Sequence, residues 1–310
     1  MDGQEGTTGL EIFQHLESRQ ELEVLRINSD LRKNAEEQRR LINSADIVFL
    51  CLPDEAAMES VSLVENAHTC IIDASTAHRT DPNWVYGIPE LNKTQRDRIR
   101  ESRRISVPGC HATGFVVAMA PLVVSGIVPA EYPISCFSLT GYSGGGKKLI
   151  SYYENEQGSD AAEAPRMYAL ELQHKHLPEM ACHTGLNRPP VFTPVLANIY
   201  KGLVVSIPLQ TTFLSGKPSA QEIHEILDER YRGERFIQVM PFGGEGTLND
   251  GYLVPTGCNI TNRLELYIFG HQSQAVVLAR LDNLGKGASG AAIQCMNIYL
   301  GLDEATGLKV

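Results

Sequence analysis

Apolar residues run almost without interruption from Ala45 to Leu52, the pattern of a strand buried on both faces of a parallel sheet. Pro53-Asp54-Glu55 then opens a helix to about Glu65, with proline and acids in its first turn. Cys70 to Asp73 is the next apolar run and predicts the next strand. Earlier, Leu10 to Leu16 predicts a helix and Glu21 to Ile27 a short strand. Strand–helix–strand with short links marks a doubly wound α/β domain. Lys93 to Arg104 is strongly basic and reads as an exposed helix face.

The rhythm changes further along. Ile134 to Leu139, Leu203 to Leu209 and Phe236 to Met240 predict strands, and Asn262 to Phe269 with Ala275 to Leu281 predict a hairpin around Gly270-His271. Ser219-Ala220-Gln221-Glu222 is a capping box opening a helix to about Tyr231. A final helix reaches about Leu300. The expected fold is α/β: a Rossmann-like dinucleotide-binding domain over residues 1–111, completed by the C-terminal helix 286–310. An α+β domain with a mostly antiparallel sheet follows over 112–285.

Between the two patterns lies Ile105-Ser106-Val107-Pro108-Gly109-Cys110-His111-Ala112-Thr113-Gly114, ahead of the apolar run Phe115 to Val124. It predicts a short strand, a Pro-Gly turn and a helix that opens on Cys110. The positive end of a helix dipole favours thiolate over thiol. Backbone N–H groups at the same place suit an oxyanion formed when that thiolate attacks a carbonyl. The plainer alternative is a small buried cysteine packed under a helix.

Gly3, Gly6 and Gly9, spaced three apart before the first helix, let backbone N–H groups approach a pyrophosphate, with Thr7 and Thr8 adding hydroxyls. A strand should precede such a loop, yet only Met1-Asp2 stands there. Either the start is truncated or the first strand is nearly absent. After the second expected strand, Asn28-Ser29-Asp30-Leu31-Arg32-Lys33 offers small polar residues and two cations, which suit the 2′-phosphate of NADP; a solvated charged loop is the alternative. At the carboxyl end of Cys70–Asp73 come Ser75 and Arg79, and ligands bind at that edge of an open sheet. Arg79 has the fork to grip a carboxylate or phosphate.

Composition narrows the classes. A chain of 310 residues with 43% hydrophobic and 21% charged residues is globular and long enough for two domains. The net charge of −10 argues against nucleic acid or a membrane surface as partner. No apolar run approaches the roughly 20 residues of a bilayer span, and the N-terminus lacks a signal-peptide pattern. Seven cysteines without a CxxC pair suggest neither a disulfide framework nor a zinc ribbon, and reduced thiols of a cytoplasmic enzyme fit best.

Two further stretches carry chemistry. Ser143-Gly144-Gly145-Gly146-Lys147-Lys148 combines close backbone approach with positive charge. Gln173-His174-Lys175-His176-Leu177-Pro178-Glu179 holds two imidazoles for proton management beside a thiolate. On extended chain both rings share a side, which also suits a metal. A third ligand is not evident in the spacing, so no metal is expected.

Taken together, Gly3-x-x-Gly6-Thr7-Thr8-Gly9, Asp73 to Arg79, Pro108-Gly109-Cys110, His174 to Glu179 and Asp282 to Gly290 resemble the shorter branch of the N-acetyl-γ-glutamyl-phosphate reductases. These belong with the aspartate-semialdehyde and glyceraldehyde-3-phosphate dehydrogenase group. The resemblance spans nearly the whole chain, with the motifs in order. It implies NADP, arginine biosynthesis, a small acyl-phosphate substrate, and a homodimer or homotetramer.

It also implies roles, and makes 112–285 the catalytic and dimerisation domain. Cys110 is the nucleophile, His176 the first choice and His174 the second for acid/base. Arg79, Ser143, Gly144 and Gly145 are candidates for substrate, and Lys286, Gly287 and Ser289 for closing the cofactor site. Where the family usually has an aromatic and a proline after the cysteine, this chain has His111-Ala112, which gives Cys110 another imidazole neighbour. Rival readings are a semialdehyde dehydrogenase of the aspartyl or aminoadipyl type, and a non-catalytic NADP-binding regulator.

Overall fold

The computed structural model describes residues 2–3, 6–31, 34–155 and 159–310. The chain divides into two compact units, Met1–Gly109 with Ala288–Leu308, and Cys110–Gly287 with Lys309–Val310. The seam thus falls two residues earlier than expected, and the return two residues later. The reason is helical: Cys110 and His111 are the first residues of a helix that packs on the second unit's sheet.

The first unit contains α1 (Thr7–Glu17), α2 (Ala35–Ser44), β1 (Ile47–Leu50), α3 (Asp54–Ser62), β2 (Cys70–Asp73), β3 (Val85–Tyr86), α4 (Gln95–Glu101) and β4 (Arg104–Ser106). The C-terminal helix Gly290–Tyr299 joins it. All four strands are parallel, in the order β1-β2-β4-β3. The strands β1 and β2 bury both faces. Phe49 and Ile72 pack with Ile12, Leu16 and the C-terminal helix, whereas Val48, Leu50 and Ile71 pack with Ile42, Ala57 and Trp84 on the other side. Helices on both faces of a parallel sheet are the doubly wound arrangement. Local signals start the helices: Asn34 accepts from the N–H groups of Glu36 and Glu37 at 3.0 Å each.

One expected element is corrected. Glu21–Ile27 opens on a turn residue and forms no strand among the described residues. In a doubly wound sheet the second strand pairs with the first. Here the first strand amounts to a single bridge, in which Asp2 N–H donates to Phe49 O and Cys51 N–H to Asp2 O, both at 2.9 Å. Among the described residues no ladder is therefore offered to residues 21–27, although Leu22 and Val24 still pack against the apolar layer.

The second unit contains α5 (Cys110–Val124), β5 (Ser135–Gly141), α6 (Gly146–Asn155), α7 (Asp160–Glu163), β6 (Arg166–Met167), α8 (Leu177–Thr184), β7 (Val191–Ala197), β8 (Leu203–Gln210), α9 (Ala220–Tyr231), β9 (Ile237–Val239), β10 (Leu264–Gly270) and β11 (Gln274–Leu281). Its seven strands run β6-β7-β5-β8-β11-β10-β9, antiparallel except for the β5–β7 and β9–β10 pairs. The expected hairpin and capping box are both present. Helix α5 is buried along most of its length, which its all-round apolar sequence requires. It lies close on the sheet at Gly114, where a Cβ would stand 2.8 Å from Val205 Cγ2.

Candidate active site

The nucleophile candidate is the first residue of α5, so the helix dipole points its positive end at Cys110. All seven cysteines are free thiols, and Cys110 is half-buried. Burial pushes Cys51, Cys70 and Cys258 up to about 12 and Cys136 higher still, which keeps those four protonated and inert.

Around Cys110 the second unit gathers three histidines. Cys110, His111 and His176 bring Sγ and one ring nitrogen of each imidazole within 4.8 Å of one another. The His174 and His176 ring centroids are 4.7 Å apart, and each lies 5.4 Å from that of His111. Phe192 on β7 closes the group edge-on, 5.2 Å from His111 and 5.1 Å from His174. The two sequence-expected histidines thus do meet the cysteine's neighbourhood.

Their geometry is not that of an extended pair. His176 is helical in backbone and precedes α8, whose first turn contains Pro178. Its N–H donates to His174 Nδ1 at 3.2 Å, and its own Nε2 lies 4.0 Å from Glu179 Oε1. His176 and Glu179 are both buried. A carboxylate one helical turn away is suited to orient that imidazole.

His111 has a different environment. Its Nδ1 is hydrogen-bonded to Ser138 Oγ (3.0 Å) and its Nε2 to the Tyr168 hydroxyl (2.9 Å). Burial, with the charges of His174 and Lys175 added, pushes its pKa down to about 3, so the ring is neutral at physiological pH. Burial and the neighbouring Cys110 raise Tyr168 above the usual phenol range. Sequence reasoning missed Ser138, Tyr168 and Glu179. Only Glu179 had a local signal, its spacing of three from His176.

Other expected residues take varied positions. Arg79 is buried; its Nε donates to Val107 O (2.9 Å) and its Nη2 to Ala74 O (3.1 Å), so it clamps the strand end leading to Pro108-Gly109-Cys110. Ser143 Oγ accepts from Asn283 Nδ2 at 3.0 Å, and Gly144–Gly145 form a tight turn before α6. Gly287 lies against Cys110: a Cβ there would be 2.7 Å from Cys110 Cβ. Lys286 is buried with Nζ 5.4 Å from the Phe236 ring centroid, and Ser289 Oγ donates to Glu11 Oε2 at 3.1 Å.

In the first unit, the N-terminus of α1 fits a dinucleotide's pyrophosphate. Gly3 has φ +82°, and a Cβ on it would stand 2.3 Å from Cys51 O, so only glycine allows this approach. The helix begins at Thr7 after Gly6, Gly9 is buried, and among the described residues there is no side-chain cap and no hydrogen-bond partner for the buried Thr7 Oγ1. The first N–H groups of a helix and a buried hydroxyl are what a bound phosphate would satisfy. Ser75 Oγ donates to Asp73 Oδ2 at 2.6 Å, beside His78, whose Nδ1–H donates to the same oxygen at 2.6 Å. Ser29 begins a 3₁₀ turn, whereas Arg32 and Lys33 lie outside the described residues.

Comparison with known proteins agrees with both halves. Residues 3–100 match the family model "Semialdehyde dehydrogenase, NAD binding domain", and residues 110–283 match "Semialdehyde dehydrogenase, dimerisation domain". An N-acetyl-gamma-glutamyl-phosphate reductase 2 from Nostoc sp. is 45% identical over 99% of this chain and 98% of its own. One of the same name from Pseudomonas putida is 44% identical over 99% and 98%. The N-acetyl-gamma-glutamyl-phosphate reductase of Brucella ovis is 41% identical over 97% and 98%. A probable aspartate-semialdehyde dehydrogenase from Pseudomonas aeruginosa shares the fold, with TM-score 0.72 at 14% identity over 96% of each chain. With a cysteine-headed helix, a nicotinamide-dinucleotide domain and near-complete alignment to these relatives, the chain belongs to the N-acetyl-γ-glutamyl-phosphate reductase family.

Proposed function

We propose that this protein reduces N-acetyl-γ-glutamyl phosphate with NADPH to N-acetylglutamate semialdehyde and phosphate, a step of arginine biosynthesis, as a cytoplasmic homo-oligomer. The observation that carries the reading is Cys110 Sγ at the head of α5, within 4.8 Å of a His176 ring nitrogen. The Cys110 thiolate attacks the γ-carbonyl carbon, the carbon–oxygen bond to phosphate breaks, and a thioester remains on sulfur. This divides one difficult displacement into two easier ones. When bound, NADPH would supply a hydride to the thioester carbon, and Cys110 Sγ would hold the resulting thiohemiacetal. His176 manages the proton on that oxygen as the carbon–sulfur bond breaks and the aldehyde leaves. Glu179 holds His176 in orientation, and His174 is the substrate's second imidazole contact.

Gly3, Gly6, Thr7, Thr8 and Gly9 would hold the pyrophosphate, Ser29 and Arg32 the 2′-phosphate, and Ser75 the adjoining part of the cofactor. Support for an oligomer comes from the seven-stranded sheet, which falls within the dimerisation-domain match. Its β5 presents Phe137 outward at 41% exposure, and neighbouring β7 presents Val191 at 53%. No described helix is long and apolar enough to cross a membrane.

The deciding assay runs in reverse, with NADP, phosphate and either N-acetylglutamate semialdehyde or aspartate semialdehyde. A higher kcat/KM for the acetylated substrate is expected. A preference for aspartate semialdehyde would assign the chain to another substrate, and no turnover with either would favour the regulator reading.

A further inference from the structure

The spacing of His174 and His176 offers two imidazoles without a third ligand, but the fold brings His176 together with Cys110 and His111 instead. We propose that Cys110, His111 and His176 form a binding site for a borderline-soft divalent cation, Zn²⁺ being the type case, whose occupancy silences the nucleophile. Among the described residues this is the one group of three or more cysteine, histidine and acidic side chains close enough to hold an ion.

The distances suit zinc. Tetrahedral zinc, with Zn–S of about 2.3 Å and Zn–N of about 2.0 Å, places sulfur and nitrogen ligands roughly 3.4–3.6 Å apart. The three ligand atoms already lie within 4.8 Å of one another, so a contraction of about 1 Å completes three corners. The remaining corner stays open to water or a substrate oxygen. Three protein ligands and one exchangeable position distinguish an open zinc site from a closed structural one.

The donor set also selects the ion. A thiolate and two imidazoles favour zinc and its neighbours, whereas magnesium and calcium require oxygen ligands. His111 is suited to ligation because its ring is already fixed. Ser138 Oγ anchors Nδ1 at 3.0 Å, the outer-shell support that ligating histidines ordinarily have. Nε2, now hydrogen-bonded to the Tyr168 hydroxyl at 2.9 Å, becomes the ligand when that hydroxyl turns aside. Beside His176 stands a carboxylate, Glu179 Oε1, 4.0 Å from Nε2. On binding, the Cys110 thiol releases its proton to solvent and the sulfur lone pair goes to the metal. No electron is transferred, and a chelator reverses the step. The loss of turnover rests on Cys110 being the nucleophile, whereas ion binding does not.

The test uses the untagged full-length chain, reduced, and titrated with Co²⁺ as a spectroscopic substitute for zinc. Expected are saturation at one equivalent, a sulfur-to-cobalt charge-transfer band, the visible bands of tetrahedral cobalt, and displacement by Zn²⁺. Cys110→Ser abolishes the charge-transfer band. His111→Gln, which keeps hydrogen-bonding groups for Ser138 and Tyr168, weakens binding at least about tenfold. Cys182→Ser, at an exposed cysteine, leaves the spectrum unchanged. X-ray absorption of the zinc-loaded wild type gives one sulfur and two imidazoles, and needs no variant to fold. A wild type without the charge-transfer band, undiminished binding in folded His111→Gln, or a zinc shell lacking imidazole overturns the proposal. Turnover is read separately: Zn²⁺ inhibits and a chelator restores. Binding without inhibition would instead count against Cys110 as nucleophile.

Discussion

Arg79 Nε donates to the carbonyl oxygen of Val107 at 2.9 Å, three residues before Cys110. The same guanidinium reaches Ala74 O through Nη2 at 3.1 Å, tying the end of β2 to the segment after β4. A lysine has one point of donation and cannot span both carbonyls in this plane. Arg79→Lys should therefore lower kcat about 10- to 100-fold by loosening the approach to Cys110, with KM for the acyl phosphate nearly unchanged. Steady-state kinetics checks this. A large rise in KM at constant kcat would place Arg79 on the substrate instead.

The two histidines differ in what holds them. His176 is buried, precedes α8, and has Glu179 beside it, while His174 Nδ1 accepts from the His176 N–H. His176→Asn should lower kcat by about 10²-fold or more, the usual loss when a general acid is removed. His174→Asn should act mainly on KM. If His174→Asn takes the larger kcat loss at constant KM, the two roles are exchanged.

Cofactor preference is tested at Arg32 and Lys33. Replacing both with alanine should raise KM for NADP(H) about 10- to 100-fold, the scale of losing a charge-assisted hydrogen bond. KM for NAD(H) should change little. Equal changes for both cofactors would place the two cations away from the 2′-phosphate.

Much of the fold was legible because its signals are local. Ala45–Leu52 could be read as a doubly buried strand from its unbroken apolar run, and its centre is β1. Ser219 and Glu222 cap α9 through reciprocal bonds that need no tertiary information. Elements that depend on distant partners were not legible. Glu21–Ile27 has strand composition but lacks a neighbouring ladder. Val191–Ala197 was missed because Pro194 argues against a strand interior, yet β7 pairs along its length with β5. The site divides the same way. Cys110 was visible from its turn and helix start, whereas Ser138 and Tyr168 lie 28 and 58 residues beyond it. Their role comes from hydrogen bonds to His111 across β5 and the segment after β6.

Acylation of Cys110 is open to measurement once the reductant is left out. Mixing the enzyme with N-acetyl-γ-glutamyl phosphate and no NADPH should release a burst of phosphate, one per active site. Mass spectrometry of the acid-quenched protein should place an N-acetylglutamyl thioester on the Cys110 peptide. Cys110→Ser, folded by circular dichroism, should show neither. An acyl group on another residue, or an undiminished phosphate burst from Cys110→Ser, would contradict the account.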